Sequence, residues 1–568
     1  MLYTVSDVPP AYLGVILGFQ HYLTMLGATA LIPLLIVPEM GGTPTQMAEV
    51  ICTIFFVSGC NTLLQTTIGD RLPIVQGGSF AFLSPTFAVI GQVGAMVASG
   101  EIGAEEQFEQ TMRRIQGAIL TCGFIQVALG YSGVLGLLTR FISPLTIAPT
   151  VCMVGLGLYT APNINGNFQR PLPVPGCEGY AAAVIICMVV FSQLLGFVNL
   201  KIGGASIKIF ALFPVLWTVM VAWGIGAIAQ AAGGMDDDYL GGRYAICKTS
   251  SQVIEDSKWF RWPYPGQWGA PIFDKCAILP MIAAMLVSMV ESIGDYYAAA
   301  QLAGAPPPSG PVISRGLAGE GWGLILCGLI GTGNGTTSYG ENIGALGVTK
   351  VGSRAVVQAG ACTMIFMGCF PKFGAVFAAM PGWLVGGLYM CLFGLICSCG
   401  LAQLQHIDLN SSRNLFILGF CIYNGLALGG PAGYFANTGP WGEPCSDAQN
   451  TKVFFSNTMI VSLLAGVLLD NLIPGTRAER GMTAWDSTRK GGHTDPEFMS
   501  VYGLPKWGSF NLAAIFRNCS YLDAVESVTE KPHKLTWPEV PPEGPMSSSG
   551  DLCEMCCPFM PAFAPPGI

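Results

Sequence analysis

Charge is what this chain has least of. Only 11% of its 568 residues are Asp, Glu, Lys or Arg, against about 25% in soluble domains. A water-facing globule of this size cannot dress its surface with so few charges, so a soluble fold is excluded. Grouped Lys and Arg are missing too. The net charge is -8, and phosphate backbones are bound by basic clusters, so nucleic acid is excluded as a partner. No cofactor loop and no triad spacing occurs, which argues against an enzyme and leaves no resident cofactor to expect. The first apolar run, residues 11–37, is too long for the core of a signal peptide and lacks a basic stretch ahead of it. It reads as a first membrane span.

What is present is apolar: 51% hydrophobic residues and 74 glycines, and Gly is common in membrane helices. About 20 apolar residues cross a bilayer as a helix. Fourteen segments qualify, near 11–37, 47–67, 78–97, 114–138, 142–160, 179–199, 206–231, 275–303, 316–332, 334–352, 355–371, 374–400, 413–430 and 452–473. With the N-terminus cytoplasmic, Arg71, Arg140, Lys201, Lys208, Arg315, Lys350, Arg354 and Arg413 fall in inner loops, as the positive-inside rule requires. Glu101, Glu105, Glu106, Glu109 and Asp236–Asp238 fall outside, while Arg113, Arg114 and Lys248 break the pattern. An even span count puts the C-terminus inside as well, in a multi-pass protein of the plasma membrane.

The longest outer loop, 233–273, carries Trp259, Trp262 and Trp268. It reads as an aromatic interface belt rather than a lid. Of the 20 cysteines most lie in apolar runs as small hydrophobes. Cys177, Cys247 and Cys445 lie in outer loops where a disulfide is allowed, with no pairing assignable. Residues 474–568 are charged and Pro-rich and read as a largely disordered tail. Its Cys553, Cys556 and Cys557 lack a second ligand pair for a zinc site.

Segments three and ten are interrupted. The first reads Gln76-Gly77-Gly78-Ser79-Phe80-Ala81-Phe82-Leu83-Ser84-Pro85, the second Asn334-Gly335-Thr336-Thr337-Ser338-Tyr339-Gly340-Glu341-Asn342. Irregular backbone in a bilayer is tolerated only where it lines a polar cavity, and two broken segments in corresponding halves point to a transporter's binding site. Each reads as a short extended piece leading into a half-helix, whose start offers free N–H groups and a positive dipole end.

Ionisable residues inside spans mark function by default. Glu291 and Asp295 are spaced i, i+4 and share one helix face, where like charges call for a cation or proton. Glu341 opens the second half-helix. His21, beside Gln20, sits in the middle of the first span. Asp470 reads as a helix-end cap.

At these residues the chain resembles the nucleobase–ascorbate transporter family. The stretch Glu341-Asn342-Ile343-Gly344-Ala345-Leu346-Gly347-Val348-Thr349 matches the family signature, and Gln20-His21 and Glu291-Ser292-Ile293-Gly294-Asp295 match two further motifs. The resemblance implies an all-α polytopic fold with 14 transmembrane segments in a 7+7 inverted repeat, with two short β-like stretches in segments 3 and 10. It implies core halves at 11–138 and 274–372, gate halves at 139–232 and 373–473, a cytoplasmic N-terminus at 1–10, and a homodimer in which the core moves past the gate. The body of the chain is similar to animal sodium-dependent vitamin C transporters, which carry Pro where this chain has Glu341. Around that residue it is similar to uracil permeases and the sodium-dependent nucleobase transporter.

Uracil and the oxopurines are neutral rings with alternating N–H and C=O edges. Carboxylates of Glu291 and Glu341 would accept ring N–H groups, and such charge-assisted bonds are about twice as strong as neutral ones. Backbone N–H groups near Phe82 and Gly340 would meet ring carbonyls. Phe80, Phe82 or Tyr339 would stack on the ring, with Gln20, His21 and Asn342 completing the substrate site. Ascorbate is an anion, and a carboxylate at 4 Å would repel it by about 4 kcal/mol at an effective dielectric of 20. Asp295 and Ser79 would supply oxygen ligands to Na+, as the resemblance to sodium-coupled members implies. Import of nucleobases coupled to Na+ is the expectation, set against a proton-coupled nucleobase symporter and a sodium-coupled ascorbate carrier. A sulfate-permease-type anion exchanger is disfavoured, because no basic residue lies between Ser79 and Ser84 or between Ser338 and Gly344. A nucleobase receptor that signals through the tail is disfavoured because the tail holds no recognisable module.

Overall fold

In the computed structural model the chain is mostly helical. It describes residues 2–133, 141–158, 176–235, 247–429, 433–434, 454–482 and 496–511, apart from positions 199, 203–204, 208, 250, 477, 504–505 and 508–509. The elements before the long outer loop are α1 (Ala11–Glu39), α2 (Pro44–Thr67), β1 (Gln76–Gly78), α3 (Leu83–Ala98), α4 (Gln107–Tyr131), α5 (Pro144–Leu156), α6 (Glu178–Val189), the hairpin β2 (Leu200–Ile202) and β3 (Ala205–Ile207), and α7 (Pro214–Ala231). Within and after the loop follow α8 (Gln252–Asp256), α9 (Lys275–Ala303), α10 (Gly310–Ile330), β4 (Thr336–Ser338), α11 (Gly340–Thr349), α12 (Arg354–Met367), α13 (Pro371–Ala378), α14 (Gly382–Ala402), α15 (Ser412–Leu428), α16 (Thr458–Leu472) and α17 (Pro496–Tyr502). Among the described residues six helices are long and apolar enough to cross a membrane, or seven if α12 and α13, bent by 86°, count as one span.

Local chemistry sets the helix ends. Pro44 opens α2, and Thr43 and Gln46 form a reciprocal capping box there, satisfying two N-terminal donors. Asp274 caps α9 by accepting from Cys276 N, and Gly304 ends it in the left-handed region. The apolar faces then sort the helices into two bundles. Helices α1–α4 and α9–α13 pack on one another, and α5–α7 with α14–α16 form a second group. The two groups meet where α9 lies against α5 and α16 and where α1 lies against α14.

The interrupted segments find each other. β1 pairs antiparallel with β4 in the register Gln76↔Ser338, Gly77↔Thr337 and Gly78↔Thr336. Backbone groups freed inside the apolar bundle are thereby satisfied. Gly77 is required here because a Cβ would strike the ring of Tyr339. After β1, Ser79 caps a 3-10 turn at Phe80–Phe82 that feeds α3. After β4, α11 starts at Gly340 with no side-chain cap.

The twelfth segment expected at 374–400 is two helices. Pro381 starts α14, and α13 packs on α2 so closely that a Cβ on Gly374 would strike Ala48 O. α13 thus packs with the first bundle, and α14 with the second. Parts of the tail region are also ordered. Tyr502 of α17 is buried, its hydroxyl donates to Pro306 O at 2.5 Å, and Arg315 and Arg354 donate to Tyr502 O and Val501 O. The N-terminal residues reach the same end, where Leu2 N donates to Lys350 O and Gly352 N to Tyr3 O. The Cys553 cluster, Cys445 and Arg140 lie outside the described residues.

Asp470 does more than cap a helix. It is 1% exposed and pairs with Arg413 at 2.9 Å and Arg480 at 2.7 Å, while Ser143 donates to it at 2.7 Å. The knot joins α5, α15 and α16. Removing one partner of a buried pair costs about 3–5 kcal/mol. Asp470→Ala should therefore lower the thermal midpoint of the detergent-solubilised protein. Its substrate-dependent thermal shift should persist, since Asp470 is no part of the carboxylate group described below.

Candidate functional site

The site grows from the strand pair. β4 ends at Ser338, and the chain turns into α11 with Gly340 and Glu341 at its positive end. Anionic side chains are favoured there. Asp295 on α9 points to the same place: its Oδ1 stands 3.6 Å from where a Cβ on Gly340 would lie. Glu291, one turn earlier, is in electrostatic range of Glu341, and Asp295 of both. The three residues are half-buried. No ion pair among the described residues engages them.

Asn342 ties α11 to α1. Its Nδ2 donates to His21 O at 2.8 Å and lies 3.3 Å from His21 Nδ1. For that ring nitrogen to accept, the imidazole proton must be on Nε2. Gln20 Nε2, Glu291 Oε2 and Asn342 Oδ1 are buried with no protein partner. One donor and two acceptors are thus left over, and unpaired buried polar atoms are costly.

The aromatic expectations separate. Phe80 meets Phe393 of α14 edge-on at 5.9 Å, and Phe393 stacks on Tyr389 at 5.4 Å. Phe80 therefore faces the second bundle. Phe82 does not stack at the site. It is fully buried, with its ring against Gly335, because residues i and i+2 of a 3-10 turn project in different directions, about 120° apart. Tyr339 is wedged against Gly77, and its hydroxyl takes a hydrogen bond from Thr29, so it forms the floor rather than a free stacking face. Ser79 Oγ accepts from Ala81 N as a cap. Among the described residues no three His, Cys, Asp or Glu side chains form a metal cluster.

One acid escaped the sequence reading. Glu320 on α10 is 3% exposed and accepts from Ser292 Oγ at 2.8 Å, Tyr296 OH at 2.8 Å and Ser338 Oγ at 2.7 Å. Gln65 donates to Tyr296 OH and Gln76 to Ser338 Oγ, both at 3.0 Å. Glu320 thus joins α9, α10 and β4 directly behind the Glu291–Asp295 face. Its signal was present as a lone Glu in the ninth apolar run, and it should have been flagged by the same rule that marks Glu291. Phe393 and Tyr389 carried no such signal, being aromatics in an apolar helix.

Half-buried acids gathered beside an interrupted segment, within a set of long apolar helices, are the mark of a membrane transporter's binding site. The family model Xan_ur_permease, described as "Permease family", matches residues 14–431, and the chain belongs to this family, that of the nucleobase–ascorbate transporters. Solute carrier family 23 member 2 of Rattus norvegicus is 39% identical over 544 residues, covering 92% of this chain and 82% of that protein. Nucleobase-ascorbate transporter 1 of Arabidopsis thaliana is 38% identical over 523 residues, covering 90% and 96%. The solved structure of SLC26A9 has a similar fold, with a TM-score of 0.51 at 11% identity over 81% of this chain and 65% of that one. These relatives are transporters, and the chain is not an enzyme.

Proposed function

We propose that this protein imports nucleobases such as uracil or an oxopurine by symport with Na+, with the α1–α4/α9–α13 bundle moving as a core past a gate made by the other helices. The observation that supports the reading is the carboxylate of Glu341 in electrostatic range of Glu291, with unpaired acceptor atoms on Glu291 itself and on Asn342 next to Glu341. A neutral ring with N–H and C=O edges answers all of these groups. An anion does not. Na+ is favoured because Asp295 offers a hard oxygen and, among the described residues, no ion pair joins the cluster to a basic side chain. The 7+7 repeat of fourteen spans, the homodimer and a plasma-membrane location with both termini inside belong to the same proposal.

Uptake of labelled uracil, xanthine, hypoxanthine and ascorbate, with Na+ and with Na+ replaced by an organic cation, tests it. Uracil or oxopurine flux that falls at least tenfold without Na+ is expected. Saturable ascorbate flux with none for any base would defeat the substrate assignment. Asp295→Ala should leave residual uptake indifferent to Na+. Uptake indifferent to Na+ but driven by an acid-outside gradient in the unaltered protein would make the proton the coupling ion.

A further inference from the structure

The two bundles meet through contacts of different character. At the outer face the loop 233–273 runs between them. It is fastened to the second bundle by the disulfide of Cys247 with Cys177, and to the first by Trp268, which is buried and donates to Gly331 O at 2.9 Å. The interface-belt reading therefore fails for Trp268, while Trp259 and Trp262 remain exposed. Helix meets helix in two tight places. α1 approaches α7 at Gly27, where a Cβ would stand 2.8 Å from Val215 Cγ1, and α9 approaches α5 at Gly294, where a Cβ would stand 3.5 Å from Ile147 Cγ2. Apolar contacts have no preferred direction, so they do not fix one register.

α14 adds a contact that does have a direction. In this apolar helix Tyr389 and Phe393 are spaced i, i+4 and share a face. A buried tyrosine hydroxyl needs a hydrogen-bond partner. Tyr389 is buried and finds its partner outside its own bundle, donating to Leu31 O of α1 at 2.5 Å. A carbonyl has two lone pairs, so Leu31 O can serve its own helix and this hydroxyl together. Two residues earlier on α1, Thr29 donates to the Tyr339 hydroxyl at 3.1 Å, and Tyr339 immediately precedes α11 and Glu341. The stretch 29–31 of α1 is thus joined both to the half-helix of the site and to the second bundle. The Phe393 ring stacks on Tyr389 and meets Phe80 edge-on.

We infer that Tyr389 is a latch: its hydrogen bond to Leu31 O holds the bundles in the register in which Phe393 meets Phe80, and it has to break when they move. Tyr389 is a positioning residue here, acting through Phe393. The inference rests on the proposal that the bundles move past one another during transport. Loss of one neutral hydrogen bond shifts a two-state equilibrium roughly twofold to tenfold.

The test needs a way to fix this register without Tyr389. A Cβ on Gly27 would lie 3.5 Å from Val215 Cβ, within the span a disulfide bridges. Gly27→Cys/Val215→Cys should cross-link on oxidation with copper phenanthroline. Nucleobase uptake should then fall at least tenfold and return on reduction. Non-cysteine fluorophores at Gly103 and Gly179, open positions on the first and second bundle, give the distance that belongs to the locked register.

Tyr389→Phe removes the hydroxyl and keeps the ring against Phe393. Without substrate, the ratio of molecules at the locked distance to all others should fall at least threefold relative to the unaltered protein, and cross-linking should restore it. An unchanged ratio overturns the latch and leaves bundle motion standing, provided that the cross-link blocks uptake. A lower thermal midpoint with the ratio unmoved is a structural role only and overturns the latch as well. So do thiols that never cross-link, since the register would then not be visited. Full uptake by the cross-linked protein overturns both the latch and the motion of the bundles.

Discussion

Glu341→Pro is expected to abolish uracil uptake, and Glu341→Gln to reduce it roughly tenfold to a hundredfold. The range follows from losing one hydrogen bond to a charged group, about 1.5–3 kcal/mol, at about 1.4 kcal/mol per factor of ten. Folding is not the issue for Pro, because Glu341 lies in the first turn of α11, where an N–H has no intrahelical partner to lose. The Pro variant also removes the negative charge at the positive end of that helix. An anionic substrate would no longer face a repulsion of about 4 kcal/mol. Competing uptake of labelled uracil and labelled ascorbate measures both effects in one assay. Undiminished uracil uptake in the Pro variant would remove Glu341 from the site.

The second large effect is expected at Glu320. Glu320→Ala removes the acceptor of the Tyr296 and Ser338 hydroxyls and leaves Ser292 Oγ only Thr337 Oγ1, at 2.9 Å. Each buried group left unpaired costs about 1–3 kcal/mol, and the lost side chain leaves a cavity besides. The strand β4 and the helix α9 would lose their shared anchor, so the spacing between Glu341 and Glu291 would no longer be fixed. Uptake should fall more than tenfold and the thermal midpoint should drop. Glu320→Gln keeps one acceptor oxygen and most of the volume, and should recover the midpoint more fully than the uptake. A variant with normal KM and normal maximal rate would show that the anchor is dispensable. Glu320 is a positioning residue in this account, since it sits behind the face that meets the substrate.

Much of the site was readable because membranes make certain residues conspicuous. A carboxylate in a run of apolar residues is expensive, so Glu291, Asp295 and Glu341 stood out, and the i, i+4 spacing of the first two placed them on one helix face. The broken segments stood out for the same reason: Gly, Ser and Pro inside a span signal backbone that must be satisfied elsewhere. That Gln76–Gly78 would pair with Thr336–Ser338 in one register was not readable, because three-residue strands carry too little pattern to specify a partner. Nor was the fate of the aromatics. Phe80, Phe82 and Tyr339 are alike in composition, and only packing turned the first toward Phe393 and the other two into the interior.

Composition and hydropathy alone determined that the chain lives in a bilayer, that its helices are interrupted twice, and that acids lie within its apolar runs. These are local facts, set by the cost of placing charge or bare backbone in hydrocarbon. Tertiary structure alone decided which acid holds the frame, since Glu320 is identified by its three hydroxyl donors on α9 and β4. It also decided where the outer loop is fastened, because anchors such as Trp268 on Gly331 and Cys247 on Cys177 join residues far apart in the chain. Contacts of that kind depend on how apolar faces choose their neighbours, and a single sequence does not display that choice.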